Sequence, residues 1–342
     1  MKAGIVGLGK MGLLHTGILN TLKDVQVVSI AEKENFVAKY IKNALPTVHV
    51  YDDYEKMLDK ENLDVLYITT PAPSHYPMIM SCIKKGINFF VEKPLSTNLV
   101  DAKKICNELK KSNIINGVGF NVRYVDTFSK AKSLIDSNVL GKINKVKSSQ
   151  YVSNIFSKPS GWRFKKKSSG GGVLLEFGCH LVDLLSWYFG PVQNLTATTK
   201  SVYSSVDDFA HIDMNFQNGI NAEFDTSWSI KGYRISETSI EITGSNGQMI
   251  LNQDYIDVKL KEIVPGFSKL DSKIYKQSLN GSVSFDVGGP DYTIQDEKMI
   301  ECIKTKHLPL VNAFEASKTQ SIIQAAYDSA ESKNEEKVEY IE

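Results

Sequence analysis

Charge of either sign in excess is what this chain most plainly lacks: 40 Lys and Arg stand against 39 Asp and Glu, a net +1 over 342 residues. That balance gives no hold on a polyanion or an anionic membrane surface, so neither nucleic acid nor membrane is an expected partner. Cysteine is scarce as well. Cys82, Cys106, Cys179 and Cys302 are dispersed, with no Cys-x-x-Cys pair, which argues against a disulfide framework and a metal site of thiolate spacing; no metal is expected. No apolar run approaches the roughly 20 residues of a membrane-spanning helix. The N-terminal apolar run is short and carries a glycine motif where a signal peptide would have its core, so a cytoplasmic protein without a leader is expected. Repeats and low-complexity linkers are also missing. What is left is 42% hydrophobic and 23% charged, an ordinary globular composition with length enough for two domains, each with its own core.

The N-terminus is richly patterned. A short apolar strand, Ala3 to Val6, runs into Gly7-Leu8-Gly9-Lys10-Met11-Gly12, then an apolar periodic segment, then a second strand, Val25 to Ile30, ending at Ala31-Glu32. Strand, glycine turn, helix, strand and a following acid form the dinucleotide-binding pattern. Gly7 permits the tight turn, Gly9 lets backbone approach a pyrophosphate, and Gly12 allows close helix–strand packing. Lys10 and Met11 open the helix whose N-terminus faces the phosphates. Glu32 is placed to accept from the adenosine ribose hydroxyls, which favours NAD; Lys33 beside it keeps NADP open as the alternative.

Strand and helix signals then alternate as far as Asn121. Val65–Thr69 ends at Thr70-Pro71 with His75 beyond, Asn88–Val91 ends at Glu92-Lys93-Pro94, and Ile115–Phe120 ends at Asn121. The alternation predicts a doubly wound parallel sheet, in which ligands sit beyond the carboxyl ends of the strands. Thr70, Pro71, His75, Glu92, Lys93 and Asn121 all lie at those ends and are candidate cofactor contacts. For His75 a place facing the nicotinamide pocket and a structural place weigh equally, and so do cofactor and packing roles for His15. Past residue 122 the pattern turns to strands separated by hairpin compositions such as Gln217-Asn218-Gly219 and Gly244-Ser245-Asn246-Gly247. The expected architecture is α/β: a Rossmann domain over 1–122 and a domain over 123–342 with a large, open, mostly antiparallel sheet. The C-terminal helices, 292–333, are expected to pack back on the first domain.

A glycine triplet, Gly170 to Gly172, leads into Val173–Phe189. Read as one helix, this segment puts Glu176, His180, Asp183 and Trp187 at i, i+4, i+7 and i+11, on a single face. Ionisable groups on a mostly buried helix are costly unless paired or used, so proton transfer is expected here.

Four motifs now stand in order: Gly-x-Gly-x-x-Gly at 7–12, Thr-Pro…His at 70–75, Glu-Lys-Pro at 92–94 and Gly-Gly-Gly…Gly-x-His-x-x-Asp at 170–183. Together they resemble the Gfo/Idh/MocA family (glucose–fructose oxidoreductase, inositol dehydrogenase and rhizopine-catabolism proteins), and the resemblance covers essentially the whole chain. It implies reversible oxidation of a hydroxyl on a sugar, cyclitol or nucleotide sugar by NAD or NADP, and a homodimer or homotetramer joined through the large sheet. It also implies that Lys93 reaches both the nicotinamide ribose and the reacting hydroxyl, that Lys93–Pro94 is cis, and that His180 is the catalytic histidine. Glu176 stands where many members carry Asp; its extra methylene implies a different geometry toward His180, or contact with substrate.

The chemistry suits these residue types. Histidine titrates near neutrality and can take and return the hydroxyl proton. A lysine ammonium stabilises the oxygen as charge develops on it. For substrate, the candidates are Arg123, Tyr124, Trp162, Arg163 and Asp183. Arg123 and Tyr124 read equally as cleft lining or packing. Trp162-Arg163 with Lys165 to Lys167 reads as an exposed basic loop or as a flap for a phosphate. Two other functions fit the motifs: a redox-neutral elimination or glycoside cleavage on retained NAD, and a non-catalytic dinucleotide-binding protein.

Overall fold

The structure, a computed structural model, describes residues 1–279 and 283–341. Two compact units divide it: Met1–Asn121 with Ser282–Ser317, and Val122–Gly281 with Lys318–Glu342.

The first unit alternates β1 (Lys2–Val6), α1 (Lys10–Thr21), β2 (Gln26–Ala31), α2 (Asn35–Ala44), β3 (His49–Tyr51), α3 (Tyr54–Lys60), β4 (Val65–Ile68), α4 (His75–Lys85), β5 (Asn88–Val91), α5 (Leu99–Leu109) and β6 (Asn116–Val118). Its six strands lie in the order β3-β2-β1-β4-β5-β6, and every pairing is parallel. All four residues of β4 are buried, as a strand covered on both faces requires. Local chemistry sets the helix starts: Asp53 caps α3 by accepting from the Glu55 and Lys56 N–H groups, and Asn98 caps α5 by accepting from Asp101.

Register matters most for function. Ala31 pairs with Val6, Val6 with Ile68, Ile68 with Val91 and Val91 with Val118. Five strands therefore end level, and whatever follows them emerges along one edge of the sheet: Glu32, Gly7, Thr69-Thr70, Glu92-Lys93 and Gly119 to Asn121. The strand order reverses between β1 and β4, which opens a crevice there.

The second unit begins with α6 (Asp126–Asp136) and β7 (Ile143–Tyr151), followed by the short α7 (Lys166–Ser169), a π-helical turn at Leu174–Gly178 and α8 (Cys179–Phe189). Then come β8 (Val192–Lys200), β9 (Phe209–Phe216), β10 (Asn221–Ser227), β11 (Glu237–Gly244), β12 (Gly247–Leu251), β13 (Tyr255–Leu260) and β14 (Asp271–Tyr275). After α9 (Pro290–Thr305), which belongs to the first unit, α10 (Ala313–Ser332) and β15 (Glu336–Lys337) complete the chain. Nine strands form one sheet in the order β14-β13-β12-β11-β7-β10-β9-β8-β15. Only β7 with β10 is parallel; the other pairings are antiparallel.

Alternation along the strands gives this sheet two unlike faces. In β9, Ala210, Ile212, Met214 and Phe216 are buried, and Gly178 approaches so closely that a Cβ on it would lie 2.9 Å from the Thr226 methyl. The opposite face carries ion pairs such as Lys145–Glu223 and His211–Asp225. One expectation needs correction. Val173–Phe189 is not one α-helix: Leu174–Gly178 is a π-helical turn, so Glu176 sits on a wider turn than the straight-helix spacing assumes.

Candidate active site

The glycine turn after β1 is built as its spacing requires. Gly7 has φ +87°, a backbone region that side chains rarely tolerate. A Cβ on Gly12 would lie 2.0 Å from the Gly7 carbonyl oxygen, whereas one on Gly9 would meet nothing within 4 Å. Two glycines thus serve the fold, and the third leaves open space over the turn. Helix α1 starts there with Lys10 and Met11, without a side-chain cap and without an acid in its first turn. A helix start of this kind suits an anion, so the turn fits a pyrophosphate. The Glu32 carboxylate accepts from the Leu8 N–H at 2.6 Å and the Glu34 N–H at 2.9 Å, which fixes it beside the turn with lone pairs left over for hydroxyl donors.

Further along the same edge, Lys93–Pro94 is cis. His75 does not look out into open space. Its ring is buried, with Nδ1 2.7 Å from the Pro94 carbonyl and Nε2 2.9 Å from the Thr70 carbonyl. It clamps the Thr70-Pro71 turn to the Lys93-Pro94 turn. Asn121 donates to Asp291 at 2.5 Å. Thr70, Pro71 and Lys93 keep part of their surface exposed.

Behind this edge lies a buried cluster that the sequence does not announce. His15 Nδ1 is 2.8 Å from the Asp296 carboxylate, and His15 Nε2 is 3.1 Å from Glu92. His15 and Asp296 are fully buried and Glu92 nearly so. Burial alone would lower the pKa of the His15 ring, but the Asp296 and Glu92 carboxylates outweigh it and raise the value to about 10. The ring is therefore an imidazolium between two carboxylates. A Cβ on Gly119 would lie 3.0 Å from the Glu92 carboxylate, so that glycine makes its seat.

In the second unit the glycine triplet is a steric necessity. A Cβ on Gly171 would lie 2.2 Å from the Tyr327 hydroxyl, and one on Gly172 would lie 2.2 Å from the Asp207 carbonyl oxygen. The backbone passes this close because the Asp207 carboxylate accepts from the N–H of Gly172 at 2.7 Å and of Leu174 at 2.9 Å. Tyr327 adds its hydroxyl to Asp207 at 3.0 Å. Burial pushes the Asp207 carboxyl up, and these hydrogen bonds draw it partly back. The result anchors the segment that carries Glu176 on the π turn and His180 on the first turn of α8; both are half-buried. Glu176 pairs with Arg163 at 3.5 Å, and Arg163 lies against the Trp162 ring, 5.6 Å from its centroid. The structure thus joins two sequence candidates, and the basic segment meets a carboxylate before any phosphate.

Arg123 and Asp183 are joined too, which fits the packing reading of Arg123. Arg123 Nε and Nη2 donate to the two Asp183 oxygens at 2.8 and 2.7 Å, and Thr319 donates to Asp183 at 3.1 Å. Both side chains are at most 2% exposed. They make an internal strut. Tyr124, on the same short turn as Arg123, is half-buried.

Comparison with known proteins decides the lineage. Residues 1–120 match the oxidoreductase family with an NAD-binding Rossmann fold, and residues 128–250 match the GFO/IDH/MocA C-terminal domain. The chain belongs to the Gfo/Idh/MocA family. It is an NAD(P)-binding oxidoreductase of that family. Among Gfo/Idh/MocA relatives it is 26% identical to a myo-inositol 2-dehydrogenase of Thermotoga maritima over 258 residues, 73% of this chain and 74% of that one. It is 24% identical to an NADP-dependent scyllo-inositol 2-dehydrogenase of Bacillus subtilis over 63% of this chain and 60% of that one. Its fold matches a levoglucosan dehydrogenase solved with NADH, with a TM-score of 0.90, 19% identity and 100% of each chain covered.

Among the described residues, no group of three or more His, Cys, Asp or Glu is disposed to hold a metal, and no helix is long and apolar enough to cross a membrane. Within this Gfo/Idh/MocA chain, sequence reasoning missed Asp207, Asp291, Asp296 and Tyr327. Each bonds a partner far away along the chain, so no local spacing marks it.

Proposed function

We propose that the protein is an NAD(P)-dependent dehydrogenase that interconverts a hydroxyl and a ketone on a sugar, cyclitol or nucleotide sugar. One observation carries the reading: the sheet edge that bears the open glycine turn also presents Lys93, level with it in register. The family relatives named above, which act on inositols, support the substrate class. So does the fold match to a dehydrogenase from Bordetella pertussis solved with NADH and UDP-GlcNAcA, at a TM-score of 0.88 and 21% identity over 99% of this chain.

Gly7, Gly9, Lys10, Met11 and Gly12 hold the pyrophosphate through backbone, Glu32 takes the adenosine ribose, and Thr70, Pro71, Glu92 and Asn121 line the way to the nicotinamide. Bound there, the nicotinamide supplies the two-electron redox chemistry. The chain's own task is the proton and the field. His180 takes the hydroxyl proton during oxidation and returns it during reduction. The Lys93 ammonium faces the same oxygen and stabilises its developing charge. Glu176 orients His180. His75, by clamping the two turns, keeps Lys93 in place.

The test is turnover with a panel of sugars, cyclitols and nucleotide sugars, read as NADH or NADPH formed. Lys93→Met and His180→Ala should each abolish turnover while dinucleotide binding stays measurable. Activity retained in either variant would reject these roles, and turnover without net reduced cofactor would point to redox-neutral chemistry.

A further inference from the structure

The buried His15–Glu92–Asp296 cluster is not used by the proton chemistry above, yet its Glu92 directly precedes Lys93 on the edge of the proposed site. Its three members come from separate elements: His15 from α1 just past the glycine turn, Glu92 from the end of β5 next to Lys93, and Asp296 from α9. A hydrophobic core needs no such group, and removing two carboxylates and a histidine from water is costly. Aromatic rings enclose the imidazole: Phe90 at 4.9 Å, Tyr67 at 5.6 Å and Tyr292 at 6.4 Å between centroids. Burial keeps both phenols neutral, raising Tyr67 and Tyr292 well above their ordinary range. The titratable groups facing His15 are therefore Asp296 and Tyr292 from α9, Glu92 from β5 and Tyr67 from β4; burial pushes the Asp296 carboxyl up, and the His15 imidazolium draws it partly back. With the ring protonated and both carboxylates ionised, as the two short contacts to the ring favour, the cluster holds one cation and two anions, a net charge of −1.

That sign has a use. The oxidised nicotinamide ring is cationic and the reduced ring is neutral, and in the reading above the Lys93 ammonium shares the pocket with it. Two cations side by side in a water-poor site repel each other. We infer that His15, Glu92 and Asp296 form a fixed counter-charge which positions Glu92 at the end of β5 and favours the oxidised over the reduced dinucleotide. His15 and Asp296 are positioning residues in this scheme, acting through Glu92. The inference rests on the proposed cofactor site.

The test is equilibrium binding of NAD+ and of NADH to the full chain by titration calorimetry at pH 6.5, in wild type, Asp296→Asn and Glu92→Gln. Each substitution removes one negative charge and nearly preserves shape. The affinity ratio of NAD+ to NADH should fall by at least about ten-fold in both variants, as expected for a unit charge within roughly 12 Å at an effective dielectric near 20. In Asp296→Asn the ratio should climb back toward wild type at pH 9, because His15 without its second carboxylate loses its proton and restores the cluster's charge. A merely structural role would weaken both ligands alike and leave the ratio flat with pH. If wild type binds both dinucleotides and the ratio stays within two-fold of wild type in either folded variant, this inference is overturned and the functional reading stands. The phosphorylated pair, NADP+ and NADPH, replaces NAD+ and NADH where wild type prefers it; if wild type binds neither pair, both are overturned. Should Asp296→Asn not fold, Glu92→Gln decides alone.

Discussion

Arg123 grips Asp183 with a two-pronged ion pair, Nε to Oδ2 at 2.8 Å and Nη2 to Oδ1 at 2.7 Å, wholly inside the second unit. The guanidinium also lies over the ring of Trp187, one turn further along α8, with Cζ 5.6 Å from the ring centroid. Geometry this complete satisfies two buried charges, and it also makes each a liability without the other. Asp183→Leu alone should cost about 3–5 kcal/mol, because it strands a buried guanidinium. The double variant Arg123→Met with Asp183→Leu should recover most of that. Urea midpoints of the three proteins check it; a single variant as stable as wild type would mean the pair is not buried.

The glycine turn separates folding from binding. Gly12→Ala puts a methyl 2.0 Å from the Gly7 carbonyl oxygen, so backbone must move and stability should drop by about 1–3 kcal/mol, in the range of overpacking. Gly9→Ala puts its methyl in open space, so the melting temperature should stay near wild type. Dinucleotide affinity should nevertheless fall at least ten-fold, since the methyl occupies the approach of the pyrophosphate. Thermal melts with and without NAD or NADP read both effects, because bound ligand raises the melting temperature by mass action.

The His15 cluster should also shape stability with pH. The ring's pKa rises from 6.5 to about 10 on folding. A group raised in this way contributes its full stabilisation below pH 6.5 and loses it as pH climbs toward 10. Wild type should therefore lose stability by a few kcal/mol across that window. In His15→Asn this loss should be absent, leaving a flatter profile from a lower starting point. Denaturant midpoints between pH 6 and 10 measure the difference, and parallel profiles would mean that His15 is not the titrating group.

How far the sequence reaches is visible in these same residues. Gly7, Gly9 and Gly12 were legible because a tight turn, a close approach and a packed crossing are local demands, met within six positions. The ends of β4, β5 and β6 were legible because buried parallel strands read as short apolar runs. Asp296 was not, because its partner His15 lies 281 residues away; neither was Asp207, which caps a backbone 33 residues upstream. The π turn at Leu174–Gly178 has no spacing signature, so the sequence reads Val173–Phe189 as one helix with Glu176, His180, Asp183 and Trp187 at i, i+4, i+7 and i+11. Strand β13 did carry a signal: Ile256, Val258 and Leu260 alternate with partly or fully exposed neighbours, a period-two pattern that shortness made easy to pass over.

Arg163 and Glu176 separate folding from catalysis. Their contact at 3.5 Å joins a mostly exposed guanidinium to a carboxylate only 9% exposed, so little folding energy is at stake and Arg163→Ala should move the urea midpoint by less than about 1 kcal/mol. In the proposed function Glu176 orients His180, so Glu176→Gln should lower kcat by about ten-fold or more while dinucleotide affinity stays near wild type. Arg163→Ala leaves that carboxylate in place and should lower kcat by less. Steady-state kinetics of the two variants beside their urea midpoints check it, and a kcat near wild type in Glu176→Gln would show that Glu176 does not act on His180.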